Sequence, residues 1–122
     1  MHYLMVAAGG ALGAMARYFF YTLALRLEQH AALATFSVNL LGAFLIGIMF
    51  VLLTEKAGME PHLQNLLSIG FLGAFTTYST YSLDALRMLQ NGQIGMALVY
   101  LLGTMLVCLL AVWLGANLAR QF

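Results

Sequence analysis

Charged side chains are scarce in this chain, whose 122 residues are 63% hydrophobic and only 7% charged. Soluble domains carry about 25% charged residues, so this composition excludes an ordinary water-soluble protein and indicates that the bilayer is the solvent. Five Lys and Arg against four Asp and Glu leave a formal net charge of +1, which offers no field to recruit nucleic acid or an acidic substrate. We therefore expect membrane lipid as the surroundings and no nucleic-acid partner.

Cysteine and well-placed histidine are also lacking. The one cysteine, Cys108, lies in an apolar run, so the sequence offers neither a disulfide framework nor a Cys/His set with metal-ligand spacing. His2, His30 and His62 fall at segment ends, where none is placed to act as a base for a buried hydroxyl. Neither a zinc-protease helix motif nor a phosphate loop occurs. The sequence therefore predicts that the protein is not an enzyme.

What the chain does have is long apolar stretches, four of which reach the roughly 20 residues that a membrane-spanning helix needs. Short polar connections separate them, and nothing is left over for a soluble domain. The sequence predicts an all-α membrane protein, with a single transmembrane domain over residues 1–122 and four transmembrane helices. The predicted helices cover about residues 3–26, 32–54, 62–90 and 94–118.

The third stretch is too long for a straight crossing and has a polar middle. About 29 helical residues would reach roughly 43 Å against a hydrocarbon core of about 30 Å. Residues 70–82 read GFLGAFTTYSTYS, in which two glycines precede five hydroxyl side chains and two tyrosines. We expect this helix to break in mid-membrane near residues 73–77, where hydroxyls and a partner subunit can satisfy the freed backbone groups.

Small residues recur at four-residue spacing in three of the stretches, which lets membrane helices approach closely without a hydrophobic driving force. We assign them to packing rather than to chemistry. The pairs are Gly9 with Gly13, Ala43 with Gly47, and Ala111 with Gly115.

Basic residues are balanced between the two sides of the membrane. Four spans place Lys56 and Arg120 on one side, and Arg26 and Arg87 on the other. Lysine and arginine near helix ends normally set orientation, so two against two predicts insertion in both orientations, unless a weaker signal fixes one. A single four-helix chain is also too small to enclose a polar pathway. We therefore expect an antiparallel, dual-topology homodimer with a two-fold axis in the membrane plane.

Two polar side chains lie deep in apolar helices. Arg17 sits about two and a half turns before the end of the first helix, and a membrane-embedded charge is a candidate functional residue by default, although snorkelling to the interface is the alternative. Asn39 lies among apolar neighbours in the second helix, where its amide would be unpaired if it faced lipid. It therefore faces protein or water, as a functional group or as a structural bond between helices.

The third stretch carries a polar stripe beside an aromatic one. Thr76, Ser79 or Thr80, and Asp84 recur at helical spacing, as do Tyr78, Tyr81 and Ser82. Hydroxyls, an amide and aromatic edges all present positive partial charge, which is the character that an anion pathway needs where water is scarce. The alternative is that the hydroxyls bond back to carbonyls of their own helix.

Three segments of the chain resemble the signature segments of the Fluc (CrcB-like) fluoride channels. They are GGALGAMARY at 9–18, VNLLGAFLIG at 38–47 and GFLGAFTTYSTYS at 70–82. Length and span count agree over the whole chain. The resemblance implies a passive, fluoride-selective channel of the cell's inner membrane. It also implies a dual-topology homodimer with two antiparallel pores, which exports cytoplasmic fluoride down its electrochemical gradient.

The resemblance also implies roles for individual residues. Asn39 matches the pore asparagine that donates its amide to fluoride, and Arg17 matches the vestibule arginine. Gly73 and Thr76 match the positions whose backbone carbonyls, two from each subunit, hold a structural sodium ion at the dimer two-fold axis. A hydroxyl track beside the pore is matched by Ser79, Thr80 and Ser82.

The chain departs from the family pattern at Tyr78 and Tyr81, which match two pore phenylalanines. A phenol keeps the electropositive ring edge and adds a strong donor. Fluoride could then bind more tightly and pass more slowly, or the added hydroxyl could narrow the path and close it. Asp84 stands where an acid, often Glu, is expected. Two other functions remain. A small multidrug-type exporter would resemble its class in having a Glu midway along the first helix, which is absent here; the other is a non-conducting partner subunit of a fluoride channel.

Overall fold

The computed structural model describes residues 1–56 and 58–122, and within these residues it contains helices and short connections but no strand. Four helical segments follow one another along the chain, as the composition predicts, and the third of them is divided in two. We number the resulting helices α1 to α5. The undivided ones are α1 (His2–Arg26), α2 (Ala31–Thr54) and α5 (Ile94–Arg120).

The third segment begins at Pro61, in the first turn, where its missing N–H costs no hydrogen bond. Its first half, α3 (residues 61–75), is α-helical over Pro61–Gln64, π-helical over Asn65–Leu72 and α-helical again over Gly73–Phe75. The second half, α4, covers Tyr78–Gln90. Between them Thr76 and Thr77 have extended backbone, with ψ of 159° and 122°. The chain therefore leaves helical geometry inside the interval 73–77 that the sequence favours.

Helix ends lie within two residues of the expected positions, and α1, α2 and α5 are each long and apolar enough to cross a membrane. The third segment is not among these three spans, because the break divides it into halves that are each too short to cross by themselves. The π-helical stretch was not predicted. The hydrogen bonds of a π-helix span one residue more than those of an α-helix, and nothing in the composition of residues 65–72 indicates this difference.

Glycines bring the helices together in two close pairs. In the first pair, an added Cβ at Gly47 of α2 would overlap the Val112 carbonyl oxygen of α5, and one at Gly115 of α5 would overlap the Phe44 carbonyl oxygen of α2. The backbones of α2 and α5 are thus in direct contact. This is the packing expected of small residues in membrane helices.

The second close pair joins α1 to α3. Gly9 and Gly13 lie one turn apart on α1, and an added Cβ at either would overlap a carbonyl oxygen of α3, that of Leu66 or that of Phe71. Gly10, on another face of α1, has nothing within 4 Å of such a Cβ. One face of α1 is therefore fitted to the π-helical part of α3.

An ion pair closes one end of the bundle. The Arg120 guanidinium donates to both carboxylate oxygens of Glu55, at 2.8 Å from Nε and 2.6 Å from Nη2, and both side chains are partly exposed. These hydrogen bonds hold the pKa of the Glu55 carboxyl below its ordinary value. The bridge links the end of α2 to the end of α5, which is the pair that the glycines bring into contact.

The contrast between Gly9 and Gly10 gives a test of this packing. Gly9→Ala forces α1 away from the Leu66 carbonyl, and overpacking of this kind typically costs about 1–3 kcal/mol. Gly10→Ala meets open space and should leave stability unchanged or slightly raised, because alanine favours the helix. Thermal unfolding of the purified protein in detergent, followed by circular dichroism, measures both. Equal melting temperatures for the two variants would contradict the assigned face.

Candidate functional site

The break between α3 and α4 is held by one side chain from α2. The Asn39 amide donates from Nδ2 to the Thr77 carbonyl oxygen at 2.8 Å, and its Oδ1 accepts from the Thr77 backbone N–H at 2.8 Å. Because the backbone N–H can only donate and the carbonyl can only accept, this pairing determines which way the amide points. Both peptide groups of Thr77 that the break releases are therefore satisfied by a single residue of a neighbouring helix.

Thr77 also begins α4. Its Oγ1 accepts from the Thr80 backbone N–H at 3.3 Å, which is the N-cap arrangement that satisfies one of the free donors at a helix start. Thr77 is 7% exposed, so this cap is formed in the interior rather than at a wet surface. The first N–H groups of α4 therefore lie beside the break, at the positive end of the helix dipole.

Two backbone carbonyls near the break lie outside the helical ladder. The N–H that would normally bond to the Gly73 carbonyl is that of Thr77, which bonds to Asn39 instead, and the N–H that would bond to the Thr76 carbonyl is that of Thr80, which bonds to the Thr77 hydroxyl. Arg17 reaches from α1 and donates from Nη1 to the Thr76 carbonyl at 3.3 Å. The C-terminal end of α3 thus presents two acceptors outside the helical ladder, at the negative end of its dipole, and Thr76 receives the Arg17 contact.

A cavity of about 620 Å³, open on one side, lies between α2, α3, α4 and α5. Asn39 and Thr76 line it together with the rings of Tyr78 and Tyr81, and Thr104 and Cys108 of α5 form the facing wall. An amide has two N–H donors, and Asn39 uses one of them on Thr77, so the other is available to the cavity. The cavity therefore combines an apolar wall with a small number of donors.

The two tyrosines differ in what their hydroxyls do. Their rings are neighbours, with centroids 5.6 Å apart. The Tyr81 hydroxyl donates to the Leu101 carbonyl oxygen of α5 at 2.6 Å, which anchors the ring at the cavity wall. Tyr78 is 79% exposed at the open side, and within the described residues its hydroxyl has no hydrogen-bond partner. The added hydroxyl at position 81 is thus used in packing, while that at position 78 is available.

The cavity gathers some of the residues that the sequence indicated and leaves others outside. Asn39, Gly73, Thr76, Tyr78 and Tyr81 line it. Its lining does not include Arg17, which contacts the break at the Thr76 carbonyl. The three residues of the expected hydroxyl track, Ser79, Thr80 and Ser82, are also outside the lining.

Some hydroxyls bond within their own helix, as the alternative interpretation allowed. Thr76 donates to the Leu72 carbonyl at 2.9 Å, and Ser82 donates to the Tyr78 carbonyl at 3.1 Å. Ser79 and Ser82 are exposed in the single chain. Two of the five hydroxyls are therefore satisfied locally, and the others cluster around the N-cap.

A buried polar network that the sequence analysis missed lies beside the site. Asp84, 4% exposed, accepts from the Thr35 hydroxyl at 2.6 Å and from the Tyr100 hydroxyl at 3.3 Å, and the Tyr21 hydroxyl is 2.6 Å from that of Thr35. Four different helices contribute one residue each. One signal was present in the sequence: Thr35 lies one turn before Asn39, on the same face of α2.

A helical membrane protein with a polar break in one span, and with donors turned into an internal cavity, falls in the class of channels and transporters. Residues 4–116 match the family described as CrcB-like protein, Camphor Resistance (CrcB). The chain belongs to this family, which confirms the resemblance inferred from its three segments. It is accordingly a multi-pass protein of the inner membrane.

Several curated proteins are similar over nearly the whole chain. One from Stutzerimonas stutzeri (strain A1501), named Fluoride-specific ion channel FluC, is 45% identical over 116 residues, which cover 94% of each chain. Proteins of the same name from Hahella chejuensis (strain KCTC 2396) and Magnetococcus marinus (strain ATCC BAA-1437 / JCM 17883 / MC-1) are 42% and 41% identical. They cover 98% of this chain and 94% and 98% of their own.

The pairing of Asn39 with Thr77 can be tested by its effect on stability. Asn39→Leu removes the side-chain partner of both peptide groups, and each buried group left unpaired costs about 1–3 kcal/mol. Asn117→Leu is the matched control, because among the described residues the Asn117 amide bonds to the Trp113 carbonyl of its own helix and to no other helix. We expect a large drop in melting temperature for the first variant and a small change for the second. Similar drops in the two variants would show that the break does not depend on Asn39.

Proposed function

We propose that this chain forms a passive fluoride channel that lets cytoplasmic fluoride leave the cell down its electrochemical gradient. The observation that carries the proposal is the donor-lined cavity at the break of α3 and α4, in a chain 45% identical to a protein named Fluoride-specific ion channel FluC. Hydrogen fluoride crosses membranes as a neutral acid and ionises in the more alkaline cytoplasm. A passive pore then suffices, because the inside-negative potential drives the anion outward.

The chemistry of the cavity suits a small, strongly hydrated anion. Such an ion must exchange its water for fixed donors that are strong enough for entry and weak enough for release. Asn39 offers one free N–H, the Tyr78 hydroxyl offers an O–H, and the ring edges of Tyr78 and Tyr81 offer positive partial charge. The N-terminus of α4 adds the positive end of a helix dipole. No acidic side chain lines the cavity among the described residues.

A second copy of the chain is needed to complete this pathway, and we propose the antiparallel, dual-topology homodimer. The open side of the cavity presents Gly73 and the exposed Tyr78 at the depth of the break. Backbone and hydroxyl groups of this kind cannot face hydrocarbon, so protein or water must cover them. The basic residues support the antiparallel arrangement because they are balanced between the two ends. Arg120, which bridges Glu55, lies at one end together with Lys56. Arg87, 3.8 Å from Asp84, lies at the other end together with Arg26.

A structural sodium ion at the two-fold axis fits the residues present. The Gly73 and Thr76 carbonyls lie outside the helical ladder, at the C-terminal end of α3, and carbonyl oxygens at such ends suit Na⁺. The Arg17 guanidinium already donates to Thr76, but a carbonyl oxygen has two lone pairs and can accept a second contact. Two carbonyls from each subunit would supply the ligands, and a bound cation would join the two copies.

The competing functions have less support. A multidrug-type exporter would need an acidic residue in its first helix, and α1 of this chain carries no Asp or Glu. For a non-conducting partner subunit, the argument was that the tyrosines obstruct the path. The bond from the Tyr81 hydroxyl to the Leu101 carbonyl weakens this argument, because it ties the added oxygen to α5.

Fluoride efflux from liposomes tests the proposal directly. Liposomes loaded with potassium fluoride and containing the purified protein should release fluoride to an electrode once valinomycin relieves the membrane potential. Chloride-loaded liposomes are the selectivity control. Asn39→Asp keeps the acceptor for the Thr77 N–H, removes the amide donor and adds a negative charge, so efflux should fall about tenfold or more. A parent protein that releases no fluoride under these conditions would refute the channel.

The sodium proposal has its own measurement. A ligand that binds only the folded state stabilises it by RT ln(1 + [L]/Kd), about 2.7 kcal/mol at a hundredfold excess over Kd. The melting temperature of the purified protein should therefore rise with sodium chloride and saturate, and rise less with choline chloride at the same ionic strength. The same melting temperature in sodium, potassium and choline salts would speak against a specific sodium site.

A further inference from the structure

Ser68 carries a buried hydroxyl that no part of the proposed pathway yet uses. Its Oγ is shielded from solvent and, among the described residues, has no hydrogen-bond partner. Other hydroxyl residues in these helices bond back to the carbonyl four positions earlier: Ser37 to Leu33, Thr54 to Phe50, and Thr76 to Leu72. Ser68 lies in the π-helical stretch Asn65–Leu72 and makes no such bond. A buried unpaired hydroxyl is destabilising, so its presence calls for an explanation.

The position of Ser68 supplies an explanation for its unpaired hydroxyl, because this residue lines the same cavity as Asn39. The cavity follows α2 from Asn39 past Ala43 to Ile46, and an α-helix rises about 1.5 Å per residue, so it extends roughly 10 Å beyond the amide. Ile46 and Gly47 are neighbours on α2, and Gly47 contacts Val112 of α5. The far end of the cavity is therefore walled by Ile46 and Val112, both apolar.

An anion that leaves the donors at the break towards this end would meet an apolar wall. On α3, Ser68 lies about one turn before Leu72 and two turns before the break, towards the end at which α2 connects to α3, so it lies towards the same end of the cavity. Because no hydrogen bond holds its hydroxyl, rotation about χ1 between staggered positions can turn the O–H towards the cavity that its residue lines. A hydroxyl is both small and a donor, as a halide site requires.

We propose that Ser68 provides a second anion position in the pathway, towards the end of the cavity walled by Ile46 and Val112, at which its hydroxyl donates to the passing fluoride. This inference rests on the proposed channel function and extends it to a residue outside the three resemblance segments. The π-helical stretch is the structural cause, because it frees the hydroxyl from the local bond that an α-helical serine makes.

Ser68→Ala and Ser68→Thr, with Ser37→Ala as control, test the proposal in the fluoride efflux assay. Ser68→Ala should slow fluoride efflux at least about threefold, since a donor to a charged ion is lost. Its melting temperature should equal or exceed that of the parent, because the group removed is unpaired. Ser68→Thr keeps a hydroxyl and should restore more than half of the parental rate. Ser37→Ala, whose hydroxyl bonds only within α2, should match the parent.

Three results would overturn the inference alone. One is a Ser68→Ala variant that conducts like the parent, which would leave the channel itself standing. Another is a Thr variant as slow as the Ala variant. The third is a Ser68→Ala variant whose melting temperature, or whose fraction of cross-linked dimer, falls in proportion to its fluoride efflux rate. Ser68 would then be a packing or subunit contact. A parent that releases no fluoride refutes the channel, and this inference with it.

Discussion

Peptide groups that leave a helix inside a membrane must find partners within the protein, and the pairing of Asn39 with Thr77 meets this requirement. Without it, the extended backbone at Thr76 and Thr77 would leave a donor and an acceptor unpaired where water is scarce. The Asn39 amide can serve both groups because it carries a donor and an acceptor side by side. A carboxylate or an alcohol at this position could not serve both in the same geometry. The break thus depends on α2 as much as on its own sequence.

The same break places two helix ends with opposite polarity next to each other. α3 ends at Phe75 with carbonyls that lie outside the helical ladder, and α4 begins at Tyr78 with N–H groups that have no partner in their own helix ladder. The first end favours a cation and the second favours an anion. The proposed sodium and fluoride positions follow from this single interruption, and no acidic or basic side chain lines the cavity in the part of the chain that the structure describes. A continuous helix would have cancelled both fields in its hydrogen-bond ladder.

Much of this architecture is predictable from sequence, because it depends on local composition. Apolar length predicts four segments, and the cluster of glycines and hydroxyls predicts a break near residues 73–77. What could not be predicted depends on which faces of different helices meet. The network around Asp84 draws single residues from four helices, and the bond from the Arg17 guanidinium to Thr76 joins residues 59 positions apart. The polar character of Asn39 was evident in the sequence, but its partner was set by the register of α2 against α3.

Glycine packing fixes how closely the helices around the cavity approach each other. The backbones of α1 and α3 are already in contact at Gly9 and Gly13, and those of α2 and α5 at Gly47 and Gly115, so neither pair can close further. Across the space between the two pairs, Gly42 of α2 lies against the Thr76 side chain, and Asn39 bridges to Thr77 at the level of the break. Gly73 and Tyr78 line this cavity and are exposed in the single chain, at the level of the break, where lipid would offer their polar groups no hydrogen bonds. In the dimer that we propose, the second copy covers this face, and the polar groups that a single chain leaves without partners line the pathway.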